Sequence, residues 1–185
     1  MAFTADQTLD RNFEFKKGEY DNCTFENVDF SNVDFGNSSF VDCVFQDCNF
    51  SMSRVSKTGF RDVTFRGCKL LGFRFDQCNT MIFSAEFENC QLDFASFFRM
   101  KLRRRHFLGC SLREVDFSET DLNQAVFTDC DFSRAIFDNT NLEKADFRSS
   151  RNFTIDPENN SVRGMKIELA ATLGLLQKYG LDIEI

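Results

Sequence analysis

Large apolar residues recur along this chain at every fifth position. Phe25, Phe30, Phe35, Phe40, Phe45 and Phe50 follow one another in steps of five, and Phe60 and Phe65 keep the same phase. That period fits neither the 3.6 of a helix nor the 2 of a plain strand, so the chain reads as an internal repeat. One series of slots runs from Phe15 to Phe75, interrupted only by Tyr20, Val55 and Leu70. A second, shifted by two residues, runs from Ile82 to Phe147, with Leu at 92, 102, 112, 122 and 142. Two residues before each slot stands a smaller residue, such as Cys23, Val28, Val33, Ser38, Cys43 and Cys48, and later Ala85, Cys90, Ala95 and Cys110. The other three positions of each five are mostly Asp, Asn, Ser, Thr, Glu and Arg. One large and one small residue pointing inward per five, with polar residues outside, predicts a narrow solenoid.

The runs CTFEN at 23–27, VDFSN at 28–32, AIFDN at 135–139 and ADFRS at 145–149 carry a resemblance. The chain resembles the pentapeptide-repeat proteins over about residues 13 to 149. The resemblance implies an all-β solenoid, a right-handed quadrilateral β-helix with four pentapeptides per coil. Cysteine spacing agrees with that coil length: Cys23 and Cys43 are 20 apart, as are Cys48 and Cys68, and Cys90, Cys110 and Cys130. The step from 68 to 90 is 22 and contains the register shift near 79–81. Cys48, Cys68, Cys90, Cys110 and Cys130 are therefore expected to form one ladder up an inner corner, where buried thiols pack as small hydrophobes. All eight Cys occupy the small column, and no CxxC pair exists, so neither a metal nor a disulfide role is expected of them.

Three segments follow. Residues 1–14 are expected to cap the solenoid, with Phe3, Leu9 and Phe13 folding over its first coil. Residues 15–149 form the repeats. Residues 150–185 close the far end: after the Pro157 turn, Leu169, Leu173 and Leu176 follow helical spacing, Gly180 suits a helix stop, and Leu181–Ile185 alternates like a short strand. This apolar segment exceeds what closing one narrow coil needs. A homodimer through Leu169, Leu173, Leu176, Tyr179 and Ile183 is expected, as in family members that pair through such C-terminal segments.

Charge changes the picture from a uniform rod to a banded one. Residues 1–50 carry 10 acidic and 3 basic side chains, residues 51–113 carry 5 and 12, and residues 114–150 carry 9 and 3. In a solenoid, sequence blocks become axial bands. The basic belt contains Phe98, Arg99, Arg103 and Arg104, with Phe83, Phe94 and Phe98 at positions expected to face outward; Phe83, Phe98, Arg99, Arg103 and Arg104 form a candidate partner patch. Arg105 falls in the small inward column, where an unpaired charge is costly, so the coil is expected to distort and release it.

Composition removes several function classes. The single His, His106, and the absence of a glycine-rich phosphate loop or a nucleophile–base order leave little for enzyme chemistry, so no enzymatic activity and no cofactor are expected. No apolar run approaches a membrane span, and the start, Met1 to Asp6, lacks the basic and apolar regions of a signal peptide, so a cytoplasmic location is expected. Binding is the better class. Among pentapeptide-repeat proteins, the quinolone-resistance (Qnr-type) and gyrase-inhibitor members are dimeric rods that resemble B-DNA and bind type II topoisomerases. That resemblance implies DNA gyrase or topoisomerase IV as partner, with no direct nucleic-acid or membrane binding. Asp116, Glu119, Asp121 and Asp138 in the late acidic band are the candidate enzyme-facing acids. A rod of six to seven coils is roughly 30 Å long at about 4.8 Å per coil. The basic belt and the lack of long loops depart from the DNA-mimic pattern, and a scaffolding module that binds a protein through the Phe/Arg belt is the alternative.

Overall fold

A computed structural model describes residues 2–182. The residue two places after each slot turns the corner, usually with positive φ: Asn22, Asn27, Asn32, Asn37, Asp42 and Asp47 lie between 48° and 63°. Asn and Asp tolerate this left-handed region better than other non-glycine residues. One corner per five residues makes four faces per coil. On face 1, β1 (Ala2–Ala5), β3 (Gly18–Asp21), β5 (Ser39–Val41) and β7 (Gly59–Arg61) pair in parallel. Face 2 carries β2 (Thr8–Leu9), β4 (Thr24–Glu26), β6 (Val44–Gln46), β8 (Val63–Arg66), β9 (Ala85–Glu88), β10 (His106–Leu108) and β11 (Val126–Thr128) as a continuous parallel sheet. Faces 3 and 4 are held by isolated parallel bridges, such as Asp29 to Asn49 to Lys69 and Ser96 to Asp116 to Ile136. The result is an all-β parallel solenoid of about six turns.

In-register pairing places like slots above one another. Phe25, Phe45, Phe65, Phe87, Phe107 and Phe127 stack with ring centroids 4.7, 5.2, 5.4, 4.9 and 4.9 Å apart. A second column on face 4 runs through Phe75, Phe97, Phe117 and Phe137 at 4.6, 5.3 and 5.5 Å. These buried rings are the core, and each contributes about 1.5–3 kcal/mol by leaving water.

The register shift lies on face 1, where the four-stranded sheet ends at β7 and bridging resumes only at Lys101 with Asp121. Here the structure corrects the slot assignment. Phe83, expected outside, is 7% exposed and packs on Phe60 and Phe75, whereas Ile82 is exposed. The reason is strand alternation: with Ala85 facing in, Ser84 faces out and donates to Asp62, and Phe83 faces in.

Arg105 does leave the packed column. It is half-buried, its Nη1 lies 3.5 Å from Glu86 Oε1, and the next backbone N–H, that of His106, donates to Glu86 Oε2 at 2.6 Å. Pairing with the coil below begins one residue later, at Phe107 with Phe87.

The ends differ from expectation in detail. Phe13 packs edge-on against Tyr20 and Phe25, but Phe3 is exposed, because β1 pairs in register with β3 and Phe3 stands beside outward Glu19. At the other end the ladder continues beyond Phe147: Ser161 pairs with Asn141 and Lys166 with Asp146, and Phe153 and Ile155 are buried. The expected C-terminal helix is three short turns: a 3-10 turn at Leu169–Thr172, α1 at Leu173–Leu176, and a 3-10 turn at Gln177–Tyr179. Gly180 closes it at φ 58°, as expected. Most of the strand expected at Leu181–Ile185, Ile183 included, lies outside the described residues.

Candidate interaction surface

The interior chemistry is passive. All eight Cys are buried and free. The ladder is present, and it does more than fill space. Cys48, Cys68, Cys90, Cys110 and Cys130 each direct Sγ at the carbonyl of a Phe one coil below, at 3.3–3.6 Å from Phe25, Phe45, Phe65, Phe87 and Phe107. Ser150 continues the column with its hydroxyl donating to the Phe127 carbonyl at 3.1 Å. These carbonyls belong to the face 2 ladder, so the S–H adds a second, weak contact to an acceptor already within the sheet. Burial pushes the Cys43 and Cys68 thiols up to about 12, which keeps them protonated and unreactive. No group of His, Cys, Asp or Glu among the described residues is arranged to hold a metal ion. Among the described residues no helix is long and apolar enough to cross a membrane.

On the surface, the structure joins two patches that the sequence reading kept apart. Arg99 Nε donates to Glu119 Oε2 at 2.7 Å and Arg103 pairs with Asp121, so two belt arginines neutralise two of the candidate acids on the next rung. The Arg99 guanidinium holds the Glu119 carboxyl below the usual range. Asp121 also accepts from Asn123 N–H and Asn141 Nδ2, and Asp116 accepts from Ser118 N–H. Glu119 N–H donates to the Asp138 carbonyl, which places Glu119 and exposed Asp138 on neighbouring rungs of one corner. Asp116, Glu119 and Asp138 thus share face 4 and its edge, while Asp121 lies round the corner on face 1.

The partner patch divides as well. Phe83 is inside. Phe98 is half-buried, with Arg99 Cζ 4.7 Å from its ring centroid, so the guanidinium both covers the ring and reaches Glu119. Arg103 and Arg104 are exposed on face 1 and at its next corner.

Pairing is uneven along the rod. Of the late acids, Glu114, Glu119, Asp121, Asp131 and Asp146 all form ion pairs. Asp131 is the most enclosed. Burial opposes its charge, but hydrogen bonds from Asn152, Ser133 and Arg113 hold its pKa at about 2. Among the acids of residues 1–50, by contrast, only Asp34 forms an ion pair within the described residues, with Lys17 at 2.8 Å and Arg54 at 3.8 Å. Asp21, Asp42 and Asp47 project from exposed positions. The uncompensated negative surface therefore belongs to the first coils, which the sequence reading did not single out. Sequence spacing alone does not separate the two groups: Asp42 and Asp47 have Arg61 and Arg66 19 positions on, yet pair with neither, and Arg66 turns to Glu88 instead.

The cap presents Leu169, Leu173, Leu176, Tyr179 and Leu181 to solvent, while Ala171 and Leu175 face the core. Leu173, Leu176, Leu181 and Phe153 line an open groove of about 770 Å³.

A four-sided parallel solenoid with Phe slots and small inward partners defines a class of repeat proteins. The pentapeptide repeat region model matches residues 18–97, and eight copies of the pentapeptide repeat match residues 110–148. The chain belongs to the pentapeptide-repeat family. Among solved structures it is similar to QnrB1, a plasmid-mediated fluoroquinolone resistance protein. The two share 19% identity, with 99% of this chain and 100% of that one covered at a TM-score of 0.60. It is also similar to HetL, a pentapeptide-repeat protein involved in heterocyst differentiation regulation from the cyanobacterium Nostoc sp. strain PCC 7120. Here identity is 14%, with 89% of this chain and 86% of that one covered at a TM-score of 0.62. No curated protein matches the sequence significantly.

Proposed function

We propose that this chain is a non-enzymatic, cytoplasmic binding protein that acts as a B-DNA mimic. It would occupy the DNA-binding surface of DNA gyrase or topoisomerase IV and protect the enzyme from fluoroquinolones. The observation that carries this reading is the acidity of the first coils, where Asp21, Asp42 and Asp47 stand exposed without an ion pair within the described residues. Carboxylates without a cationic partner can replace phosphates in a positively charged groove; carboxylates already paired cannot without first losing their arginine. The mimic surface is therefore the N-terminal band, joined by Asp116 and Asp138, two of the late acids that form no ion pair within the described residues, with Glu119 and Asp121 as minor contributors. The apolar cap is the dimer contact in this reading. Burying Leu173 and Leu176 against a two-fold partner removes its exposed surface and doubles the rod.

The test is binding to purified gyrase together with supercoiling in the presence of a fluoroquinolone. The variant Asp21→Asn, Asp42→Asn, Asp47→Asn is expected to lose binding, and the affinity of the unaltered protein to fall steeply with salt. Glu119→Gln with Asp121→Asn should bind within a few-fold of the parent. Absence of any gyrase effect removes the mimic reading. Light scattering of Leu173→Glu with Leu176→Glu tests the dimer, with monomers expected and the β-rich circular dichroism retained.

The scaffolding alternative draws on one specific observation: Phe98 and Arg104 remain on the surface of the belt, next to Arg99, whose guanidinium lies 4.7 Å from the Phe98 ring centroid. Retention of an unknown protein partner that Arg104→Gln and Phe98→Ser release, in the absence of a gyrase effect, selects it.

A further inference from the structure

One corner of the solenoid breaks the chemistry of all the others. Among the described residues, the non-glycine corner positions with positive φ are polar or charged except two: Met52 at 61° and Phe94 at 63°. A bulky apolar residue in the left-handed region is a conformational outlier, because Cβ crowds the following carbonyl. Both outliers occupy the same corner, between faces 3 and 4, on coils separated by a single rung. That rung presents Gly72, also left-handed, and a Cβ built there would meet nothing within 4 Å. Met52 is 79% exposed and Phe94 is 58% exposed, and Leu71, beside Gly72, is exposed too. The corner is thus a notch: two apolar posts about 10 Å apart, two rungs of about 4.8 Å, with a bare glycine floor and a leucine wall. Neither post contributes to the core. Each adds strain and exposed apolar surface, and the interior slots Phe50, Leu70 and Leu92 behind them are filled.

The rim is basic. Lys69 projects from the same strand segment as Leu71, is exposed, and forms no ion pair within the described residues. On the adjoining face, Arg54 reaches Asp34 only at 3.8 Å with most of its side chain in solvent, and Arg74 pairs with Asp76 at 2.6 Å. These cations flank the notch on both faces.

We propose that this corner is a docking site for an acidic peptide segment that seats one large apolar side chain over Gly72, between Met52 and Phe94, while its carboxylates meet Lys69 and Arg54. The site is separate from the acidic N-terminal surface and from the Arg103/Arg104 side of the belt, and it does not rest on gyrase binding. Apolar anchoring inside a charged rim is how short segments gain both affinity and selectivity.

The test uses a fluorescein-labelled peptide of three Glu, one Phe and three Glu, with the Phe→Ala and all-Glu→Lys versions as controls, read by anisotropy on the full chain. The parent peptide is expected to bind at least about tenfold more tightly than either control. Met52→Asn with Phe94→Asn should weaken it at least about tenfold while leaving Tm unchanged or higher, since Asn accepts the left-handed corner. Lys69→Glu should weaken it similarly, and Leu108→Asn, an exposed apolar residue on face 2, should not. Equal binding of the Phe-free or Lys peptide, or full binding by the Met52/Phe94 variant, overturns the proposal. So does self-association of the protein that the same two substitutions abolish, because the occupant is then a second copy.

Discussion

The first coils and the later coils share one interior and carry two different surfaces. In the early coils rings fill nearly every slot, stacking up the rod and meeting edge-to-face around it, as Phe25 meets Phe30 at 5.6 Å and Phe40 meets Phe45 at 5.3 Å. In the later coils Phe keeps faces 2 and 4, while Leu102, Leu122 and Leu142 line face 1 and Leu92 and Leu112, followed by Phe132, line face 3. Outside, the early acids are mostly free of ion pairs, whereas five of the nine acids between 114 and 150 are tied to cations, most of them arginines on an adjacent rung. Three of every five residues are released from core duty, so a solenoid can vary its surface coil by coil at almost constant stability. Charge that is free to meet a partner and charge spent within the fold are then separated along the axis.

The largest expected effect probes the interior of the two halves. Phe45→Ala removes a ring from the middle of a stack and is expected to cost about 3–5 kcal/mol. Leu122→Ala removes a residue without stacked neighbours and should cost less, within about 2–4 kcal/mol. Urea denaturation measures both. Equal losses would mean that ring stacking adds nothing beyond volume.

Next comes the buried pairing of the later half. With its pKa held at about 2, below the usual carboxylate value of 3.8, Asp131 stabilises the fold by about 2 kcal/mol at neutral pH. The sign follows from a depressed folded-state pKa: the contribution is complete above about 4 and disappears as pH falls through about 2. Asp131→Asn should therefore lower stability at pH 7 and nearly match the parent at pH 2. A constant difference between the two at both values would place the effect in packing.

A smaller change tests the thiol ladder common to both halves. Cys90→Ala removes the Sγ contact to the Phe65 carbonyl together with the buried sulfur and should cost about 1–2 kcal/mol, with Cys90→Ser closer to the parent. A bulky thiol reagent should label few of the eight Cys in the native protein and all of them in denaturant. Rapid native labelling would contradict the closed interior.

The smallest effect concerns the exposed pairs. Glu119→Gln or Asp121→Asn should change stability by no more than about 1 kcal/mol, because each arginine partner is largely solvated. Arg99→Gln with Arg103→Gln frees both carboxylates and is expected to extend the negative surface into the later half. Tighter gyrase binding by that variant would sharpen the contrast between the halves, and weaker binding would move the contact to the belt.

Much of this protein was legible in the sequence because its fold repeats. A period of five with large and small inward positions leaves one way to bury the Phe residues, and the spacing of Cys48, Cys68, Cys90, Cys110 and Cys130 marked which residues share a corner. The narrow solenoid, the thiol ladder, the glycine stop at Gly180 and the yielding of the coil at Arg105 follow from local steric and hydrophobic rules repeated along one axis, while the family and its four-sided coil were legible through the resemblance of the repeats. Only the tertiary structure decided what depends on neighbours 18 to 22 residues away or on an interrupted period. Phe83 went inside because strand alternation runs backward from Ala85, and Phe3 stayed outside because β1 pairs in register instead of folding over the end. The C-terminal segment broke into short turns while docking on Phe153. Whether a charged side chain is spent on the next rung or left for a partner is set by side-chain reach across coils, as between Arg99 and Glu119, and a linear reading of charge blocks sums that pairing away.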